Sequence, residues 1–486
     1  MLLSRFGKRR SACVSMLTAL VFAFGVLCVP GRSSALTISE EKELGQKILE
    51  QIRKHMTLVQ DGEMIAYVQS VGNRIARQVG TSSYEPKFFI VDEPVPNAFA
   101  VPGGYIFIYR GLIEMMGTED ELAGILSHEM AHVQARHIHR QIEESKFIGI
   151  ASLAGMLAGI LLGSMVGGGG GVGNAGAALA VGSAGAGTTA MLRYSREFEA
   201  EADQLGLGYL CAAGYDPKAM VTMMQRLDAA KWLQNSKVPN YLLTHPALSE
   251  RIQNLQEMVE KEKKKKRATP SPATGDFQIM QTALIADHSD SQRVCDLFES
   301  GARKGEKTCV YGMGRYYLRQ GQCNEAIPKL QEAARLMPAS PLVLGTLGSA
   351  YYMAGKLAEA QKVLETALNL DPSASMLHFK LATVLLDEGR KSEALEHLQR
   401  ISEYAPVVPE IDYQLGVVLG QVNQVGLAHY HLGRYHLQKG DWKLALDHFK
   451  RAKGLITDSP EKMEEINAEI RQLEKTKKDA IIKSHG

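Results

Sequence analysis

Two histidines four residues apart, His128 and His132, enclose Glu129 within the stretch 118–140. A helix is predicted to start at Thr118, because a threonine followed three residues later by a glutamate has the spacing of a capping box. Side chains four residues apart on a helix project from one side, so both imidazoles can bind one ion. A hydrolytic zinc site needs such a pair and a carboxylate that stays off the metal and acts as the base. The alternative is two solvated histidines on a surface helix.

A catalytic zinc ion takes three protein ligands and leaves a position for water, so a third ligand must follow downstream. The stretch SREFEAEADQLG (195–206) reads as helical and contains Glu197, Glu199 and Glu201. Only Glu199 has an aspartate four residues later, Asp203. We predict that Glu199 is the third ligand of one zinc ion per chain. Asp203 is predicted to accept the second N–H of a ligand imidazole and so to fix its tautomer. The alternative is an acidic, solvated helix face.

Four motifs of the chain together resemble the HtpX/CAAX-prenyl-protease-type metallopeptidase family. They are HEMAH (128–132), SREFEAEADQLG (195–206), NAFAVPGG (97–104) and THPALSERI (244–252). With HExxH on one helix and ExxxD on a second, the arrangement is the one called gluzincin. The resemblance implies a zinc metalloendopeptidase in which Glu129 is the catalytic base.

The hydrophobic period changes to two between residues 84 and 113, which predicts strands at Phe88–Val91 and Tyr105–Ile108 separated by a loop. In the resembling family a strand of this kind lies beside the zinc, and an extended substrate pairs with its edge. An open edge offers backbone hydrogen bonds that do not depend on the substrate's sequence. The predicted substrate-binding residues are Asn97, Gly103, Gly104 and Tyr105. The alternative is an ordinary buried hairpin.

His245 precedes a proline, which disfavours a helix at that residue and predicts a loop that can return over the zinc. Three roles remain open for it. It is a structural residue of the loop, or it donates a hydrogen bond to the oxyanion of the reaction. In the third role it occupies the open zinc position itself and acts as a latch until substrate displaces it.

The composition is that of a globular protein with room for two or three domains: 486 residues, 45% hydrophobic and 22% charged. The net charge of +2 gives no reason to expect a nucleic acid as partner. Residues 1–35 contain a basic start, an apolar run and a small-residue cleavage site, which predicts a signal peptide; the alternative is a retained anchor. After export, Cys295 and Cys309 can form a disulfide or remain free thiols.

Residues 147–192 contain no charged residue and are rich in glycine and alanine. The segment is long enough to span a bilayer. A single crossing would place His128 and Glu199 on opposite sides of the membrane, so it must cross twice or not at all. Its glycine-rich second half makes a poor span. We predict a helical hairpin that covers the active site or touches a membrane surface; the alternative is an internally packed insertion.

Residues 258–276 join a basic run to a Pro/Ser/Thr-rich stretch, which predicts a linker after a metallopeptidase domain at 36–257. Beyond the linker, small and apolar residues recur with the period of tetratricopeptide repeats, which predicts a repeat domain at 277–456. A charged C-terminal helix is predicted at 457–486. The match around Gly433 is displaced by half a repeat, which predicts an extra helix or a kinked unit. The recurring residues are Gly314, Ala326, Leu330 and Pro338, then Gly348, Ala360, Leu364 and Pro372.

The predicted fold is mainly α: a gluzincin-type metallopeptidase domain with a small β-sheet, followed by a tetratricopeptide α-solenoid. The resemblance implies a periplasmic enzyme, with peripheral membrane contact through 147–192 left open, that serves outer-membrane protein quality control and assembly. Its implied partners are unfolded or stalled outer-membrane proteins and their assembly machinery, bound in the groove of the repeats. The alternative function is a non-proteolytic chaperone or scaffold that acts through the repeats.

Overall fold

The computed structural model describes residues 36–80, 82, 84–145, 194–233, 240–264, 276–289, 291–401, 408–457 and 459–485. The predicted signal peptide, the 147–192 segment and most of the predicted linker lie outside these ranges. Within them, no helix combines the length and the apolar character needed to cross a membrane.

The N-terminal part of the chain packs helices around a three-stranded sheet of order β1-β3-β2, in which β1 is parallel and β2 antiparallel to β3. Its elements are α1 (Ile38–His55), α2 (Gly62–Ala76), β1 (Lys87–Val91), β2 (Ala98–Val101), β3 (Tyr105–Tyr109), α3 (Arg110–Met115), α4 (Glu119–Gln134), α5 (His137–Ser145), α6 (Arg196–Ala212), α7 (Lys218–Leu233), α8 (Asn240–Thr244) and α9 (Leu248–Lys264).

The sheet differs from the sequence prediction in one strand. The strands β1 and β3 lie where the period of two predicts them, but they are parallel, so the hairpin alternative is wrong. The predicted loop between them contains β2, which pairs with β3 and forms an edge of the sheet. All four residues of β2 are buried. Two of these four residues are alanines, which have a lower strand propensity than the aromatic and β-branched residues of β3, and this explains why the sequence did not reveal β2.

The C-terminal part is a series of helices: α10 (Phe277–His288), α11 (Ser291–Arg303), α12 (Lys307–Arg319), α13 (Cys323–Leu336), α14 (Pro341–Met353), α15 (Leu357–Leu370), α16 (Ser375–Asp387), α17 (Lys391–Gln399), α18 (Pro409–Gln421), α19 (Val425–Gln438), α20 (Trp442–Leu455) and α21 (Pro460–His485). Cys295 and Cys309, on α11 and α12, are free thiols.

Small residues let the paired helices of the repeats approach each other. A Cβ added to Gly314 or Gly348 would lie 2.7 Å from the leucine sixteen residues later, on the next helix. The same close approach joins Gly416 to Leu432 and Gly433 to Phe449. The helix α19 is therefore the second helix of one pair and the first helix of the next. This extra helix accounts for the displacement by half a repeat.

The N-terminal and C-terminal parts share one hydrophobic core, so the predicted linker does not separate two independently packed regions. The helix α9 continues to Lys264, past the predicted end of the metallopeptidase domain at residue 257. Phe277 packs against Tyr67 of α2, with ring centroids 6.5 Å apart. Gln281 donates hydrogen bonds to the carbonyl oxygens of Ile113 (2.8 Å) and Met116 (2.7 Å). The first helix of the predicted repeat domain thus belongs equally to the N-terminal core.

Candidate metal centre

The metal centre is built on the contact between α4 and α6. The Thr118 hydroxyl accepts the Glu121 N–H and caps α4, while the Glu121 carboxylate accepts the Gly117 N–H, so the predicted capping box is only half formed. The two helices can approach closely because residue 206 is a glycine. A Cβ at this position would lie only 3.1 Å from the Cα of His128. This contact brings the glutamates of α6 beside the histidines of α4.

Four side chains converge at this contact: His128, His132, Glu199 and His245. Their donor atoms all lie within 4.8 Å of one another, and the described residues contain no other group of three or more potential ligands this compact. The Nε2 atoms of His128 and His132 are 3.0 Å apart. His245 brings its Nδ1 to 2.9 Å from Glu199 Oε1. The group contains the three predicted ligands and His245, whereas Glu201 lies outside it.

A buried ion pair between Asp203 and Arg251 lies against the His128 ring. Oδ1 of Asp203 lies 3.0 Å from Nδ1 of His128, which is the position predicted for Asp203. Arg251 donates to both carboxylate oxygens of Asp203, at 2.8 and 2.7 Å. Its Nη1 also lies 2.5 Å from Glu199 Oε2, although not aligned for a hydrogen bond. Arg251 lies in the motif THPALSERI, but the sequence alone gave it no role.

A second chain of contacts supports His132. Its Nδ1 lies 2.8 Å from Nδ1 of His137, and Nε2 of His137 lies 3.3 Å from Glu201 Oε2. If the Nε2 lone pair of His132 is to bind an ion, the proton must be on Nδ1 and is donated to His137. His137 then donates its own N–H to Glu201. Sequence reasoning missed His137, although it follows HExxH by five residues, one turn beyond the ligand.

Burial and charge set the ionisation of the acidic residues in the centre. Burial raises the pKa of Glu129, and both of its carboxylate oxygens lack a hydrogen-bond partner among the described residues. Burial would also raise the pKa of Glu199, but His245 and Arg251 hold the pKa of that carboxyl well below its usual value. Burial and the neighbouring His128 lower the pKa of His132, which keeps the ring neutral and able to bind a metal.

The residues present fit a zinc ion. The three carboxyl groups of Glu129, Glu199 and Asp203 are buried beside one guanidinium, that of Arg251, and beside His128. Burial and Arg251 would lower the pKa of His128, but Asp203 and Glu199 raise it to about 9, so a proton on this ring supplies part of the charge that a metal ion would bring. Buried carboxylates without enough compensating charge are costly, and a divalent cation would supply it. Two imidazoles and a carboxylate are a ligand set found in catalytic zinc sites. His128, His132 and Glu199 would hold the ion, and His245 is a fourth potential ligand.

The predicted substrate-binding residues have different surroundings. Asn97 is buried at the start of β2, and its Oδ1 has no hydrogen-bond partner among the described residues. Gly103 lines a small pocket, partly open to solvent, together with Ala100, Val101, His132 and Tyr194.

The other two predicted substrate-binding residues do not line this pocket. Gly104 has a positive φ of 88° in the turn before β3, and a Cβ there would lie 3.0 Å from Tyr84, which does line it. Tyr105 is buried in the central strand. The sheet has two edges, β1 and β2, and β2 is the one whose residues line the pocket.

Comparison with known proteins agrees with this architecture. Residues 64–259 match the model of Peptidase family M48, and residues 317–378 and 353–414 match that of the Tetratricopeptide repeat. The chain is 29% identical over 320 residues to a putative beta-barrel assembly-enhancing protease of Vibrio cholerae, covering 65% of this chain and 64% of that protein. It is 26% identical over 314 residues to the Escherichia coli beta-barrel assembly-enhancing protease, covering 63% and 61%.

A eukaryotic relative matches a shorter stretch with higher identity. The mitochondrial metalloendopeptidase OMA1 of Schizosaccharomyces pombe is 34% identical over 199 residues, covering 39% of this chain and 52% of that protein. The matched regions thus span less than two thirds of the length of these three relatives. The family match includes every residue of the four-ligand group, Glu129 and Asp203. The chain therefore joins a Peptidase family M48 domain to tetratricopeptide repeats.

Proposed function

We propose that this chain is a zinc-dependent endopeptidase. The observation that carries the proposal is the buried group of His128, His132 and Glu199 with the carboxyl of Glu129 beside it, which accepts no hydrogen bond from the described residues and lies 3.6 Å from His245 Nε2. When bound, zinc supplies a Lewis acid that polarises the scissile carbonyl and lowers the pKa of water to around neutrality. Glu129 is the base that takes a proton from the attacking water and delivers it to the leaving amine.

The edge of β2 is the proposed place for the substrate backbone. Tyr109 donates its N–H to the Asn97 carbonyl (2.9 Å), so in this antiparallel pair the backbone groups of Ala98 and Ala100 point away from β3. We propose that they pair with an extended peptide once a movement uncovers this edge, because Ala98 and Ala100 are buried. The adjoining pocket beside His132 and Tyr194 would receive a substrate side chain.

Substrate can reach this centre only after a movement. His128, Glu129, Glu199 and His245 are each 0% exposed. The segment that carries His245 is part of this cover: the Tyr241 ring stacks on His245 at 4.3 Å, and Tyr194 donates its N–H to the Thr244 carbonyl (3.1 Å). We infer that this segment moves away from the metal centre when a substrate binds.

We further propose that the enzyme acts in the periplasm on outer-membrane proteins and their assembly machinery. Support comes from the names of the two bacterial relatives and from the repeats, an architecture that binds proteins. Crosslinking in the native host, followed by identification of the crosslinked proteins, tests this role. Recovery of cytosolic proteins alone would contradict it.

The test of the enzymatic proposal is Glu129→Gln, measured by cleavage of an unstructured protein such as casein and by zinc analysis. We expect cleavage to be lost while zinc stays near one per chain, because Glu129 acts as base and not as ligand. A chelator should abolish cleavage by the unmodified chain. If the unmodified, zinc-loaded chain cleaves nothing but suppresses the aggregation of unfolded clients, the chaperone alternative would replace this proposal.

A further inference from the structure

A pair of histidines lies outside the catalytic centre, between the last two repeat helices. Nδ1 of His429 on α19 lies 3.0 Å from Nδ1 of His448 on α20. The Nε2 atoms of the catalytic pair His128 and His132 have the same separation, 3.0 Å. With metal–nitrogen bonds of about 2.0–2.1 Å, this separation corresponds to an angle of roughly 95° at the metal, which suits two adjacent ligands of one ion.

The fold holds this pair in place. The missing side chain of Gly433 lets α19 and α20 approach, since a Cβ there would lie 2.9 Å from the Phe449 ring. His436, two turns after His429, stacks on His448 with ring centroids 5.3 Å apart and an interplanar angle of 17°. His448 is therefore confined between two rings of α19. Rings already held in position lose little freedom when they bind an ion.

Ionisation and charge around the pair are compatible with a cation. Burial and the charge of Arg451 lower the pKa of His429, and burial together with His429 lowers the pKa of His448. Neutral imidazoles offer the lone pairs that a metal needs. The Arg451 guanidinium is paired with Asp447 at 2.9 Å, so its repulsion of a cation is partly offset. Both histidines are only partly buried, which leaves water access to the remaining coordination positions.

We propose that His429 and His448 form a second metal site, which binds a divalent transition ion of the copper(II) or nickel(II) type and joins α19 to α20. Nitrogen ligands bind copper(II) more tightly than the other divalent ions of its row, so copper(II) is the probe of choice. The proposal does not depend on proteolytic activity. An ion that binds the folded helix pair but not the unfolded chain also stabilises the folded state.

The chain contains a matched control pair. His378 and His397 have Nδ1 atoms 2.9 Å apart and the same nineteen-residue spacing on α16 and α17. His378 is only 4% exposed, and its Nε2–H donates to the Pro372 carbonyl (3.0 Å). An ion there would lack room for water ligands, so this pair is expected to form only a hydrogen bond between the two rings.

The experiment loads the full chain with zinc, adds copper(II) chloride, removes free ions by gel filtration, and measures both metals together with the copper EPR spectrum. We expect one zinc and one additional copper per chain, with nitrogen hyperfine structure and a raised Tm. The variant with His429→Ala and His448→Ala should lose the copper and the Tm shift but retain zinc. The variant with His378→Ala and His397→Ala should retain both metals.

Three results would overturn the proposal: no copper retained by the unmodified chain, equal retention by both double variants, or copper that only replaces the zinc. Far-UV circular dichroism checks that each variant is folded. Should the His429/His448 double variant unfold, the single change His448→Gln decides the question. It keeps a polar side chain at a partly exposed position, and copper retained by that variant would equally contradict the site.

Discussion

Glu199 and Glu201 lie two residues apart on α6 but face different partners. Glu199 is buried among the histidines, and Glu201 lies at the end of the contacts that run from His132 through His137. Glu201 is partly exposed and also accepts a hydrogen bond from Arg140 at 2.7 Å. The two glutamates therefore provide a matched pair of variants on one helix.

We predict that Glu199→Gln loses both zinc and peptidase activity, because an amide oxygen replaces a charged ligand. Glu201→Gln should retain zinc, since the amide oxygen can still accept the His137 N–H, and its activity should fall by no more than about tenfold, at the low end for a residue behind a ligand. Metal analysis and peptide cleavage measure both. The opposite pattern would move the third ligand to Glu201.

His245→Ala distinguishes the three roles that the sequence leaves open for this residue. Its Nδ1 lies 2.9 Å from Glu199, and its Nε2 has no hydrogen-bond partner among the described residues, which favours the latch. A latch predicts faster and less selective proteolysis with zinc retained. An oxyanion donor predicts slower turnover, and a structural role predicts little change in chemistry. Unchanged or slower cleavage of every substrate tested would exclude the latch.

The sequence predicted those parts of the metal centre whose geometry follows from the period of a single helix. His128 with His132, and Glu199 with Asp203, are each four residues apart, so their common orientation follows from the helix alone. The roles of His137 and Arg251 depend on how α5 and α9 pack against α4 and α6. No local period encodes that packing, so these residues required the structure.

At the scale of elements, the sequence predicted the repeat helices and two of the three strands of the sheet. The helices of the repeats were predicted because glycines and leucines recur at fixed spacing, and the structure turns that spacing into helix contacts. The strand β2 was missed because it is short and half of its residues are alanines, whereas the equally buried β3 consists of aromatic and β-branched residues. The helix α10 was assigned to the repeats alone, because the basic and proline-rich stretch before it suggested an independent domain.

The position of α10 in the N-terminal core gives a prediction of stability. We expect Gln281→Ala to lower the free energy of unfolding by about 1–3 kcal/mol, since the Met116 carbonyl would lose its donor and the Ile113 carbonyl would keep only the Met116 N–H (3.1 Å). Gln278→Ala is the control on the same helix: its side chain is exposed, and the change should be within about 0.5 kcal/mol. Urea unfolding measures both, and equal effects would contradict the role of Gln281.

At the scale of the whole molecule, a cluster of buried and partly buried charges joins the two parts. Arg315 on α12 donates to Asp61 (2.5 Å) and Asp287 (2.7 Å), and Lys380 on α16 donates to Glu63 (2.5 Å). A Cβ at Gly62 would lie 2.5 Å from Met376 of α16. The start of α2 thus lies directly against the repeat helices. Arg315 and Lys380, two positively charged side chains of the repeats, already pair with carboxylates of the same chain. A protein that binds the repeats must therefore use other parts of this surface or displace these carboxylates.

The contribution of this contact can be measured with Asp61→Asn. Asparagine caps a helix as well as aspartate does, so the cap that Asp61 provides for α2 is kept while the charge facing Arg315 is removed. Removing the charge of one partner from this shared ion pair should lower the free energy of unfolding at pH 7 by about 1–3 kcal/mol.

The pH dependence of this effect follows from the pKa of Asp61. Burial would raise this pKa, but Arg315 and Lys380 hold it below the ordinary 3.8. A folded-state pKa below that of the unfolded chain stabilises the fold above pH 3.8, and this stabilisation disappears as the pH falls through the folded-state pKa. The difference between the two proteins should therefore be fully present at neutral pH and shrink as the pH falls below 3.8. Urea unfolding across this pH range measures it, and a difference that stays constant at all pH values would show that the charge of Asp61 does not stabilise the contact.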